Sequence, residues 1–277
     1  MSQAGLNGAD EMGFLIAGVV LIIVGVVLFF VQKNQKNKAF CLRTARAVTT
    51  TELSQMSKAI AQEMGGGNWR DYVKLSGVIQ CDRPLTSELK QQSCVYYKME
   101  VRREYEETVT KQDSEGKSYR DTQRGSEVIS SNQQSIPFTI RDEVGAIEVN
   151  PDGANIETVK ILDEFRPEQA VGGLLSFGGF SLAVNSSFGS RRTLGYRYSE
   201  SILPLYRKVL VLGMVSDSGG LVIQKPSVSD QQFIISLKTD EELTKAADRN
   251  AQGALYGMVG CIGVGAVLVV IGLIQAL

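Results

Sequence analysis

Two uncharged apolar runs, at residues 12–31 and 254–274, constrain this chain more than any other feature of it. About 20 helical residues at 1.5 Å each cover a roughly 30 Å hydrocarbon core, so each run is long enough to span a bilayer. A chain with one span at each end must fold everything else beside the membrane. A cleaved signal peptide fits the first run poorly. Asp10 and Glu11 stand where a basic segment belongs, and the run continues into Gln32-Lys33-Asn34 without a small-x-small cleavage site. The expected organisation is therefore an N-terminal tail (1–11), a first transmembrane helix (12–31), a soluble region (32–252) and a second transmembrane helix (253–277).

With 29 basic and 30 acidic residues, the chain has no net field to draw it to nucleic acid, and none is expected as a partner. The placement of charge is more informative. Lys33, Lys36, Lys38, Arg43 and Arg46 follow the first run, Lys245 and Arg249 precede the second, and neither terminal tail is basic. The positive-inside rule then predicts a cytoplasmic soluble region with both termini on the opposite side. Of the four cysteines, Cys41 is near the membrane and Cys261 is within the second run. Only Cys81 and Cys94 could meet inside the domain, where two reduced, packed thiols are expected in preference to a disulfide between them.

The region between the spans predicts an α+β domain, rich in antiparallel strands. Thr49 and Glu52 have capping-box spacing ahead of Leu53, Met56, Ile60 and Met64, which marks a short amphipathic helix stopped by Gly65-Gly66-Gly67. Its apolar stripe is expected to cover the neighbouring sheet, the alternative being that it lies on lipid. Strands are predicted at 72–80 and from Val95, where Tyr97, Met99, Val101, Tyr105 and Val109 alternate with charged neighbours, so that one face of the sheet meets water. Asp113–Gly116 reads as a hairpin turn with a polar return segment, 118–134, projecting from the domain. A second hairpin is predicted in 138–149, and further strands at 208–215, 221–224 and 233–236. Thr239 and Glu242 open a last helix that no breaker interrupts before the second span.

Two features point to surfaces for binding. The glycine-rich segment 171–188 carries Leu174, Leu175, Phe177 and Phe180, which suit a membrane- or partner-facing patch or, alternatively, an insertion packed on the core. In the second span Gly253, Gly257, Cys261 and Gly265 recur at every fourth residue, and Gly13, Ala17 and Gly25 share a stripe of the first. Small residues let helix backbones approach, either between the two spans or in a homo-oligomer formed through the second.

Chemistry is sparsely represented. The chain has no histidine, no phosphate loop, no nucleophile elbow and no paired-cysteine knuckle, so no catalytic residue, metal or cofactor is expected. Glu104, Glu106 and Glu107 fall on a charged strand face, and Asp240-Glu241-Glu242 in the first turn of a helix, where carboxylates are ordinary.

The order of these features, with Val73-Lys74-Leu75-Ser76-Gly77-Val78-Ile79, Pro84-Leu85-Thr86-Ser87, Ile136-Pro137-Phe138 and Gly213-Met214-Val215, resembles the GIDE family, also called the BAM or beside-a-membrane domain family. Eukaryotic members look like this chain from first to second span and then continue into a RING finger, acting as E3 ubiquitin ligases of mitochondrial and chloroplast outer membranes. A RING holds each zinc ion with four Cys or His ligands, and four scattered cysteines without histidine do not supply that set. The resemblance therefore implies the sensing or partner-recruiting part of such a ligase, as in a prokaryotic homologue carrying the E3 label by name. The expected function is a membrane-anchored scaffold whose partners are the lipid bilayer and a protein or lipid ligand. The competing readings are a ligase subunit and a membrane-associated enzyme of another class.

Overall fold

The computed structural model describes residues 4–64, 69–113, 116–167, 173–184 and 191–276. They form two compact units. One comprises the residues up to Arg46, Val228–Gln232 and the residues from Lys238 on; the other comprises Ala47–Ser227 and Phe233–Leu237.

The first unit is helical. It contains α1 (Ala4–Thr44) and α3 (Asp240–Ala276), both long and apolar enough to cross a membrane. Each extends past its apolar run, and α1 starts inside the expected 1–11 tail. The reason is local: neither 32–44 nor 240–252 contains a glycine or proline to stop the helix. At the start of α3 the capping box forms as expected, with the Thr239 amide donating to Glu242 Oε2 at 3.0 Å and the Glu242 amide donating to Thr239 Oγ1 at 3.3 Å. Large apolar side chains of both helices remain exposed, for example Phe30 at 62% and Ile274 at 68%. Residues 228–232 dock on α1, where Asn37 Nδ2 donates to the Asp230 carbonyl at 2.8 Å and Gln232 Nε2 to Asn34 Oδ1 at 3.0 Å.

The second unit is the β-rich part of an α+β chain. In order it holds β1 (Arg46–Ala47), α2 (Thr50–Met64), β2 (Arg70–Gln80), β3 (Leu85–Thr86), β4 (Ser93–Gln112), β5 (Ser118–Ser135), β6 (Phe138–Arg141), β7 (Ala146–Val149) and β8 (Asn155–Ile156). There follow β9 (Val159–Arg166), β10 (Leu174–Phe177), β11 (Phe180–Ala183), β12 (Arg191–Pro204), β13 (Lys208–Ser216), β14 (Val222–Gln224) and β15 (Ile234–Ser236). The helix-stopping role expected for Gly65-Gly66-Gly67 falls outside the described residues.

One sheet runs β1-β2-β6-β7-β14-β13-β15-β8, and β13 also pairs with β2, so β2, β6, β7, β14 and β13 form a closed ring. β13 explains the closure. Its run Val209–Val215 is buried on both faces and is paired with β2 on one side and with β14 and β15 on the other. Inside lie Val73, Leu75, Ile79, Ile140, Ile147, Val211 and Ile223, and Leu53 of α2, fully buried, joins them.

The α2 terminus is held twice. Thr49 and Glu52 form their capping box, and Asp142, in the β6–β7 turn, accepts from the Thr50 amide at 2.7 Å and from Thr50 Oγ1 at 2.6 Å. The same carboxylate accepts from the Val144 and Gly145 amides at 3.0 and 2.9 Å. Burial alone raises its pKa, but these hydrogen bonds outweigh burial and bring it down to about 2.

The other large sheet has β4 at its centre, between β5 and β12, with β9 beyond β12 and β3 beside the start of β4. Segment 118–134, expected as the polar return of a hairpin, is a strand paired with β4 from Tyr96↔Ser135 to Gln112↔Ser118. Its residues are exposed or half-buried, with Ile129 packed against the second core, so little apolar alternation is visible in its sequence. Tyr97, Met99, Val101, Leu162, Tyr196, Tyr198 and Ile202 make a second core under this sheet. All four cysteines are free thiols.

Candidate membrane and partner interface

Helices α1 and α3 pack antiparallel, and their contact can be followed from glycine to glycine. A Cβ on Gly272 would lie 2.7 Å from Leu15 Cγ, one on Gly25 would lie 2.5 Å from Ile262 Cγ1, and one on Gly257 would lie 3.1 Å from Leu28 Cδ1. At the closest approach, a Cβ on Gly18 would lie 2.8 Å from the Gly265 carbonyl and one on Gly265 2.9 Å from the Gly18 carbonyl, so only bare backbones fit there.

Of the expected stripe, Gly257 and Gly265 face α1, Cys261 is half-buried, and a Cβ on Gly253 would meet nothing within 4 Å. Helical geometry accounts for the divergence. At 100° per residue, the step from 253 to 265 leaves the two about 120° apart, whereas 265 and 272 differ by only about 20°. The packed stripe accordingly repeats at seven residues, through Gly18, Gly25, Gln32 and Ala39 of α1 and through Gly265 and Gly272 of α3, all of them buried. Gly13 and Ala17 are exposed. A heptad count, rather than a count by fours, finds Gly18 and Gly272 in the sequence.

In the β unit, segment 173–184 forms a hairpin of β10 and β11 in which Leu175 pairs with Leu182 and Phe177 with Phe180. These four make its inner face; Leu174, Ser176, Ser181 and Ala183 make its outer face, where the two seryl hydroxyls lie 3.3 Å apart. Leu175, Phe177 and Phe180 are buried in the second core, while Leu174 is 50% exposed. The Phe177 ring centroid lies 4.6 Å from that of Tyr198, and the Arg166 guanidinium carbon lies 4.1 Å from the Phe177 centroid. Gly178 turns the hairpin at φ 58°, and a side chain there would overlap the Leu89 carbonyl. The Gly179 amide then donates to the Glu88 carbonyl at 3.1 Å. Of the four residues expected to form one exposed patch, only Leu174 is on the surface. Strand alternation sends the other three inward, because β10 and β11 cover the second core.

Beside the hairpin lies a buried carboxylate that the sequence reading passed over. Glu200, 1% exposed, accepts from Ser87 Oγ at 3.0 Å and from the Leu89 and Lys90 amides at 2.8 Å each, closing the 87–92 loop much as a cap closes a helix. Glu88 accepts from the Tyr97 hydroxyl at 3.0 Å and from Asn132. Burial, with Glu200 nearby, pushes the Cys94 thiol up to about 11, and burial with the Glu88 hydrogen bond pushes Tyr97 up to about 12. Both stay protonated near neutral pH, so neither is an activated nucleophile. Among the described residues, no group of three or more His, Cys, Asp and Glu side chains is placed to hold a metal ion.

The outer face of the second sheet is a ladder of ion pairs: Glu104 with Arg197 at 2.9 Å, Arg197 with Asp163 at 3.1 Å and Glu106 with Arg192 at 3.1 Å. These are solvated pairs, each worth little in stability. Arg103, 1% exposed, points inward and reaches Thr193 Oγ1 at 2.8 Å, Glu127 Oε1 at 2.8 Å and the Arg191 carbonyl at 3.0 Å.

A family model described as "GIDE: E3 Ubiquitin ligase" matches residues 106–271, more than half of the chain. Comparisons with curated proteins and with solved structures find no match.

Proposed function

Because the chain belongs to the GIDE family, we propose that it is a two-pass membrane protein whose β-rich region binds and positions a partner beside the bilayer. The spans are residues 12–31 and 253–277, and the region between them, 32–252, is the recruiting part. The observation that carries this reading is the glycine-to-backbone seam at Gly18 and Gly265, which joins the two helices and so holds both ends of the intervening chain at one membrane. The basic residues Lys33, Lys36, Lys38, Arg43, Lys245 and Arg249 all lie on the domain side of the spans, which supports a cytoplasmic recruiting region. Leu174 is the exposed contact point, supported from beneath by Leu175, Phe177 and Phe180.

The family's description favours a second reading, ubiquitin transfer. Within these 277 residues a RING would need more zinc ligands than four cysteines and no histidine provide, so transfer would require ligands from outside them. The two readings separate in one experiment on the full chain reconstituted in liposomes with E1, E2 and ubiquitin. The scaffold reading expects no ubiquitin chains and no stoichiometric zinc; autoubiquitination would establish the ligase reading in its place. Sidedness is tested with cysteines introduced at Gln3 and Ser114 in intact cells. An impermeant maleimide is expected to label position 3 and to miss position 114.

A further inference from the structure

Between α1 and α3, just beyond the apolar runs, lies a groove of about 330 Å³ lined chiefly by Lys36, Phe40 and Arg43 from one helix and Asp248, Gln252 and Leu255 from the other. We propose that this groove binds a single anionic phospholipid with a hydroxyl-bearing headgroup, its phosphate on Lys36 and its polyol lying along Phe40 towards Arg43 and Asp248.

The inference rests on the membrane-spanning reading of the two helices and follows from depth, charge and size. Lys36 is five residues past Val31, the end of the apolar run, which is about 7.5 Å along the helix. A headgroup layer occupies roughly 5–7.5 Å on each side of the hydrocarbon core, so the ammonium is level with lipid phosphates. Leu255, in the second apolar run, closes the hydrocarbon end of the groove, where acyl chains begin. Basic grooves between spans at this depth suit anionic headgroups.

At about 330 Å³ the groove exceeds what a phosphate alone fills. The rest of the groove has the character of a polyol site. Phe40 is 63% exposed and offers a flat apolar face to C–H groups. Beyond it Arg43 Nη2 pairs with Asp248 Oδ2 at 2.5 Å, leaving the other guanidinium nitrogens to donate and Asp248 Oδ1 to accept from hydroxyls. Asp248 already offsets one cation, so Lys36 is the charge left for the phosphate.

The test uses the full chain in mild detergent, titrated by native mass spectrometry with phosphatidylinositol, phosphatidylglycerol and phosphatidylcholine of equal chain length. Both anionic lipids are expected to bind at least fivefold more tightly than phosphatidylcholine, the scale set by one cation near an anionic headgroup, and phosphatidylinositol more tightly than phosphatidylglycerol. Lys36→Ala should remove that preference, and Phe40→Ala should bring phosphatidylinositol down to the affinity of phosphatidylglycerol. Equal binding of the three lipids, or a preference unchanged in Lys36→Ala, overturns the proposal; an unchanged inositol preference in Phe40→Ala overturns its polyol half. Displacement of bound lipid by millimolar inositol phosphate assigns the groove to a soluble ligand instead. Circular dichroism of each variant checks that the helix pair is retained. Carbonate extraction of the native membranes keeps the two readings apart, because a chain released by carbonate fails the membrane reading, whereas an embedded chain without lipid preference fails this inference alone.

Discussion

Phe177→Ala separates a core hairpin from a surface patch. The ring is 8% exposed, with its centroid 4.6 Å from that of Tyr198 and 4.1 Å from the Arg166 guanidinium carbon. Truncating a buried Phe to Ala costs about 3–5 kcal/mol in lost transfer energy and cavity formation, a total that includes the aromatic pairing of about 0.5–1.5 kcal/mol. For a domain of this size each 1 kcal/mol moves the melting temperature by about 2–4 °C, so a fall of roughly 6–20 °C is expected. Leu174→Ser, on the outer face of the same hairpin, should stay within about 0.5 kcal/mol. Both variants are to be melted as full chains in detergent. Near-UV circular dichroism of Tyr97, Tyr196 and Tyr198 reads the second core, and fluorescence of Trp69, the single tryptophan, reads the first. If Leu174→Ser shifted the tyrosine transition as far as Phe177→Ala, the reasoning from strand alternation would be refuted.

Asp142→Asn should destabilise the β unit by about 1.5–3 kcal/mol at neutral pH, the usual scale of a hydrogen bond to a charged acceptor, as read by urea denaturation. Because the Asp142 pKa is lowered from 3.8 to about 2 on folding, its contribution is fully present above about pH 4 and disappears as pH falls towards 2. The wild-type and Asn variants should therefore converge in stability across that interval, and a constant gap would exclude Asp142 as the cause. In the helix pair, Gly265→Leu should push α1 and α3 apart, since even a Cβ would lie 2.9 Å from the Gly18 carbonyl, whereas Gly253→Leu meets open space. A disulfide engineered between positions 15 and 272 should form in the Gly253 variant and fail in the Gly265 variant.

Elements whose cause is local could be read in the sequence. The capping boxes at Thr49 and Thr239, the alternation through Met99 and Val101, and the apolar run at 209–215 depend on residues a few positions apart, and each forms its expected element. Elements whose cause is a distant partner could not be read in this way. β12 has the right alternation at Tyr196, Tyr198 and Ile202, but Glu200 interrupts it at an inward position and Gly195 and Pro204 weaken it further. What makes Glu200 acceptable there is the set of amides at Leu89 and Lys90, more than a hundred residues earlier. β5 shows the same dependence, since its polar residues become a strand only because β4 supplies hydrogen-bond partners along its length.

Glu200 also shows why the second sheet and the β10–β11 hairpin belong to one piece of architecture. Its carboxylate fixes the 87–92 loop from beneath, and that loop offers the Glu88 carbonyl to Gly179 and the Leu89 backbone to the side-chain-free position of Gly178. A hairpin with two glycines at its turn is entropically costly to order, and two strands alone are marginal in water. The preformed loop and the aromatic surface of Tyr198 supply what the hairpin lacks. In the glycine-rich segment 171–188, the glycines at 178 and 179 are the residues that let the hairpin close against the core.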